Sequence, residues 1–130
     1  MKTIVQEVQF KATPKELYDI FLDPKKHTVA TGGKATGSSK LGGTFTAWNG
    51  YIRAKNIALV PGKMIVQIWR SSEFGKGDPD SVLVLTFEKA AGGTRMTMTH
   101  TAVPDGKADD FKSGWHEHYW KPIKKYLAKK

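Results

Sequence analysis

From Thr3 to Ala12 the chain alternates between apolar and polar side chains. A period of two belongs to a β-strand with one buried face, and it puts Ile4, Val8, Phe10 and Ala12 together, with Gln6 among them. The period then lengthens. In "TPKELYDIFLDP" Thr13 is an N-cap, Pro14 suits the first helical turn and Glu16 completes a capping box. Leu17, Ile20 and Phe21 give that helix an apolar stripe. Pro24 opens a second short helix or turn through "KKHTVATGG", which Gly32 and Gly33 end.

Short runs rich in Val, Ile, Thr and aromatics follow: "GGTFTAW", "GYIRAKNIALV", "KMIVQIWR", "SVLVLTFEK" and "TRMTMTHTAV". The turn-forming segments "PG", "EFGKGDPD" and "AAGG" separate them, so the runs predict an antiparallel meander. In the last run Met96, Met98 and His100 point to one face and Arg95, Thr97, Thr99 and Thr101 to the other. After "PDGKADDF" the spacing predicts one long helix from about Ala108 to Ala128. A strand, two short helices, a run of strands and a long helix make an α+β domain spanning residues 1–130.

On a wheel at about 100° per residue, Phe111, Trp115, Tyr119, Trp120, Pro122, Ile123, Tyr126 and Leu127 cover half of the final helix. A helix on a flat sheet needs an apolar stripe of a little over about 100°. The wider arc predicts a sheet that curls around both flanks of the helix. His116 falls inside this arc, between Tyr119 and Trp120, and His118 falls near its edge. Lys112 also falls inside it, in the first turn, where a lysine reaches outward. Pro122 removes one backbone hydrogen bond and predicts a kink, which either lifts the helix from the sheet or follows the sheet's curvature.

Composition narrows the function classes. The chain has no cysteine, which excludes disulfides, zinc–thiolate sites and thiol catalysis and fits a reducing compartment. No apolar run has the form of a signal peptide or the length of a membrane span, so a cytoplasmic protein is expected. The net charge is +9, but the lysines are scattered as on a solvated surface, with small clusters at Lys25–Lys26, Lys124–Lys125 and Lys129–Lys130. The aromatics fall on buried faces without a basic stripe, which argues against nucleic acid. His116 and His118 diverge by about 200° on a helix, and "HEH" lacks the spacing that puts two imidazoles on one face, so no metal is expected.

His100 and His116 stand on facing inward surfaces. They read either as buried neutral histidines or as the polar contacts of an apolar pocket, with Gln6 as a third. Trp69, Met98, Tyr119, Trp120 and Ile123 complete the candidate ligand-binding set. Trp48 and Trp69 read equally as core or rim packing. No nucleophile stands with a base and an orienting carboxylate, so no catalytic residue and no cofactor is assigned.

The segments "TPKELYDIFLDPKKHTVATGG", "GGTFTAWNGYI", "VPGKMIVQIWR", "DPDSVLVLTFE", "GGTRMTMTHTAVPD" and "GWHEHYWKPIKKYL" resemble, in this order, the SRPBCC or START-like superfamily. Within it they resemble the domain homologous to the C-terminal half of the activator of heat-shock protein 90 ATPase. One difference lies in "YIRAKN", where relatives usually carry a bulge-forming glycine at Ala54. The resemblance implies a helix-grip fold, a curved antiparallel sheet around the long C-terminal helix, with a cavity that the superfamily uses for apolar molecules. It implies two partners to weigh: a hydrophobic small-molecule ligand, or a chaperone of the heat-shock protein 90 class in a stress response. A cavity enzyme of cyclase or hydratase type is a third implication. The eukaryotic activator carries an additional N-terminal domain for which 130 residues leave no room.

Overall fold

The computed structural model describes residues 1–129; Lys130, half of the terminal lysine pair, lies outside them. Strands β1 (Lys2–Phe10), β2 (Thr36–Gly37), β3 (Thr44–Ala47), β4 (Ile52–Val60), β5 (Met64–Ser71), β6 (Ser81–Ala90) and β7 (Gly93–Val103) form a 7-stranded sheet. Every neighbouring pair is antiparallel, in the order β1-β7-β6-β5-β4-β3-β2. β3 to β7 are the predicted meander; the two-residue β2, which the sequence runs do not include, adds to its far edge, and β1 returns to the edge of the last strand. Helices α1 (Pro14–Leu22) and α2 (Pro24–Thr31) fill the crossover from β1 to β2.

The caps behave as their residue types dictate. Thr13 accepts from the Glu16 N–H at 3.1 Å and Asp23 from the Lys26 N–H at 2.9 Å, each just ahead of a proline at the helix start. Gly32 closes α2 at φ +86°, where a side chain would be strained. At Ala54 the ladder is regular, paired with Phe45 and Trp69; the register shift in β4 falls between Asn56 and Ala58.

The sheet's inner face is the one the alternation predicts. Ile65, Gln67, Trp69, Leu83, Leu85, Phe87, Met96, Met98 and His100 are all buried. Across them lies the C-terminal rod: α3 (Ala108–Trp115), a π turn (His116–Trp120) and α4 (Lys121–Ala128), entered through a 3₁₀ turn at Asp105–Lys107. The rod has the predicted ends. The irregularity that Pro122 announces takes the form of the π turn just before it, where the Lys121 N–H bonds to the His116 carbonyl.

That turn corrects the placement of His116, which is exposed, not inward. Uniform steps put residues five apart about 140° away from each other. Here Trp115 and Trp120 stack, with centroids 5.4 Å apart and planes at 14°. The extra residue in the turn swings Trp120 back over Trp115, narrows the apolar arc, and leaves His116 and Lys112 outside it. No helix among the described residues is long and apolar enough to cross a membrane.

Candidate functional site

A cavity of about 490 Å³ opens between the β3–β4 turn, β4 and β5 on one side and the N-terminal half of the rod on the other. Its walls are Trp48, Tyr51, Ile52, Trp69, Phe111, Gly114, Trp115 and Tyr119, and Glu73, Asp110 and His118 are exposed at its mouth. Each wall comes from a different local rule. Trp69 is an inward residue of β5 beside β6. Phe111 and Trp115 are four apart on α3, hence on one face. Trp48, Asn49 and Gly50 make the turn between β3 and β4 with φ of 51°, 58° and 87°. Left-handed backbone at a tryptophan is strained by about 1–3 kcal/mol, and such residues concentrate at ligand clamps.

Gly114 matters by having no side chain. Glycine inside a helix costs about 1 kcal/mol relative to alanine. A Cβ there would meet only the His118 Cδ2, at 4.0 Å, so packing does not demand glycine; its absence of bulk keeps the cavity open. Gly33 works by the opposite logic. A Cβ there would come within 2.3 Å of the Trp48 ring, so glycine lets that ring lie flat against the backbone. The other side of Trp48 meets the His118 ring, with centroids 5.2 Å apart. The Trp48 Nε1 is buried and, among the described residues, has no hydrogen-bond partner of ordinary geometry.

Behind the wall are two buried histidines. The Ser81 hydroxyl donates to the Trp69 carbonyl at 2.8 Å, so it accepts from His100 Nε2, also at 2.8 Å. The Trp115 indole N–H donates to His100 Nδ1 at 3.3 Å. These partners fix the neutral Nε2–H tautomer, and burial holds its pKa down to about 4. His27 donates from Nδ1 to the Phe21 carbonyl at 3.2 Å and accepts the Tyr119 hydroxyl at 3.1 Å. Burial likewise lowers its pKa to about 4, against the opposing effect of its backbone hydrogen bonds. Burial pushes the Tyr119 phenol upward.

The mouth is acidic. The Tyr51 hydroxyl donates to Glu73 Oε2, and Lys107 Nζ lies 3.9 Å from Oε1. Burial first, then that hydrogen bond, raises the Tyr51 pKa, so the phenol remains a donor. Arg70 organises the loop that carries Glu73: it donates to the Asp78 and Gly75 carbonyls at 2.7 Å each, with its guanidinium 5.3 Å from the Phe74 ring centroid. Asp110 comes from the first turn of α3.

Of the residues singled out in the sequence, Trp69 and Tyr119 line the cavity. His100, Met98, Trp120 and Ile123 are core residues away from its surface, at 0%, 0%, 3% and 0% exposure. Gln6 is a clamp and not a pocket contact: it accepts the Trp120 indole N–H at 2.8 Å and donates to the Lys112 carbonyl at 3.3 Å. His116 is outside altogether. Tyr51, Glu73 and Asp110 escape a reading by periodicity, because loop and first-turn polar residues look alike wherever they point, and Gly114 escapes it because a glycine adds nothing to an apolar stripe.

The arrangement, an antiparallel sheet gripping a C-terminal helix above an aromatic cavity, has relatives. The model of one protein family, described as "Activator of Hsp90 ATPase homolog 1-like protein", matches residues 11–128. The chain belongs to this family. As a member it is similar to the "Activator of 90 kDa heat shock protein ATPase homolog" of Dictyostelium discoideum, at 28% identity over 95% of this chain and 32% of the relative. It is similar to the human homolog 1, at 30% identity over 88% of this chain and 34% of the relative. The chain thus spans about a third of the length of these curated relatives. The family fold is seen in the crystal structure of an HSP90 activator from Plasmodium falciparum, with a TM-score of 0.87, 21% identity and coverage of 98% of this chain and 97% of that one.

Proposed function

We propose that this chain binds an apolar or amphipathic small molecule in the cavity between the sheet and the C-terminal rod. The observation that carries this reading is a ready-made space of about 490 Å³, walled by aromatic rings and held open at Gly114. That volume lies in the usual range for small-molecule sites. No side chain in it combines a nucleophile with a base, so the geometry favours binding over catalysis. Titration with the neutral dye Nile red will quench or shift tryptophan emission, because three tryptophans form the wall. Gly114→Leu fills the space and weakens dye binding by about tenfold or more, about 1.4 kcal/mol. Gly114→Ala leaves room and stabilises the helix by roughly 0.5–1 kcal/mol. Dye binding that is absent in the parent, or equal in Gly114→Leu, rejects the reading.

A second reading, association with a chaperone of the heat-shock protein 90 class, draws on the names of the relatives and on a separate surface. On the outer face of the sheet Val66 pairs with Val84 and Ile68 with Val82, all half-buried, and Lys55, Arg53 and Arg70 stand beside them. An aliphatic strip beside cations suits an acidic partner. Mixing with the purified chaperone at low salt will give a complex that weakens as salt rises and is lost in Val84→Asp. No complex at low salt removes this reading. Either role is one for the cytoplasm, where a cysteine-free protein needs no oxidising environment.

A further inference from the structure

We propose that the cavity selects a cationic amphiphile, an amine or quaternary ammonium with an apolar body. The proposal rests on the reading that the cavity binds a small molecule and names its class. The chain carries a net charge of +9, so a cleft placed without regard to charge would be rimmed by lysine and arginine. The acidic or basic side chains that line this one are instead Glu73 and Asp110, with His118 against the Trp48 ring. The two carboxylates come from different elements, the loop after β5 and the first turn of α3. A preference for acids at helix starts accounts for Asp110 alone and not for its meeting Glu73 at one mouth.

The two carboxylates meet at most one cation between them. Among the described residues Asp110 has no cationic partner. Glu73 has Lys107 at 3.9 Å, a long contact in a partly exposed pair that screening weakens. Glu73 is also held in place, by the Tyr51 hydroxyl and by the loop that Arg70 ties down. Just inside stand the rings of Tyr51, Trp48 and Phe111. A cation over such rings is attracted to their faces, more strongly once desolvated, while an anion there meets two like charges. The apolar body then lies deeper, against Trp69 and Trp115.

The test is a matched series of decyltrimethylammonium, decanol and decanoate, each below its micelle concentration at low ionic strength, followed by calorimetry and tryptophan emission. Decyltrimethylammonium will bind about tenfold or more tighter than decanol, and decanoate most weakly. This order runs against the net charge, which by itself draws the anion. Glu73→Gln with Asp110→Asn will bring the ratio of cation to alcohol close to one, and Gly114→Leu will weaken the cation, placing it in the cavity and not on the surface carboxylates. Equal binding of the three, or tightest binding of decanoate, overturns the charge selection and leaves cavity binding standing. A cation that binds Gly114→Leu as well as the parent also overturns it. Binding of none of the three overturns both.

Discussion

Between pH 7 and about pH 4.5 the protein will lose about 5 kcal/mol of stability, roughly half from His27 and half from His100. Both imidazoles have pKa values lowered from 6.5 to about 4 in the fold, with burial as the chief cause. A lowered value means that the unfolded chain takes up the protons first. The stability is therefore complete above about pH 6.5 and declines as the pH falls toward 4. Two such groups give a slope approaching about 2.7 kcal/mol per pH unit in the middle of the window. For a small domain whose whole stability is about 5–15 kcal/mol, that loss brings the chain close to unfolding.

The surroundings of each ring make the effect specific. His100 is enclosed by Trp69, Phe111, Trp115 and Ser81, with no charged group among them. A second proton on Nδ1 would face the Trp115 N–H, donor against donor. His27 lies among Phe21, Phe45 and Tyr119. Its Nε2 loses its lone pair on protonation, so the Tyr119 hydroxyl must turn away. Urea unfolding at a series of pH values measures the slope, and His100→Gln will reduce it by about one proton. The Asp105 carboxyl, held below its ordinary value of 3.8 by the N-terminal ammonium, titrates lower and does not confuse the window. A urea midpoint that stays flat between pH 6.5 and 4.5 contradicts the prediction.

Those histidines show what a sequence reveals and what it conceals. The alternation in "TRMTMTHTAV" is enough to send His100 inward, because a strand's period is strict. The same reasoning fails for His116, because a helix wheel assumes equal steps and the π turn adds a residue. Pro122 signals an irregularity there without saying which kind. His27 lies in a segment with no apolar period, so nothing local marks it as buried. The fold as a whole is legible, since caps, alternation, turns and the long amphipathic helix agree with one another. The cavity is legible only as a surplus of aromatics. Its acidic mouth joins residues 73 and 110, and such a meeting depends on how a turn-rich loop folds back over a helix start.

Replacing Trp115 by alanine will cost about 3–5 kcal/mol and will alter both the cavity and the acid response. Trp115 is the hinge between them. It stacks on Trp120, lies 4.8 Å from Tyr119 and 6.0 Å from Trp69 between ring centroids, and lends its N–H to His100. It lines the large cavity and also a small inner pocket of about 20 Å³ beside His27 and Gln67, and with Ile52, Trp69 and Tyr119 it separates the two. The rod is held on Trp115's two sides by Gln6 and by the sheet, and it cannot collapse fully into the gap. The deletion thus adds a cavity term to the lost burial. With the Trp115 indole gone from His100 Nδ1, water reaches that nitrogen and the imidazole's pKa rises toward the ordinary value. The variant will then lose less stability on acidification than the parent, even though it begins from less. Trp115→Phe separates the contributions: it keeps most of the stacking and removes the N–H. Urea titrations of the three proteins at pH 7 and 4.5 give both readouts. A Trp115→Ala variant destabilised by under about 1 kcal/mol, or one with the parent's full acid slope, would show that the wall between cavity and core does not run through this residue.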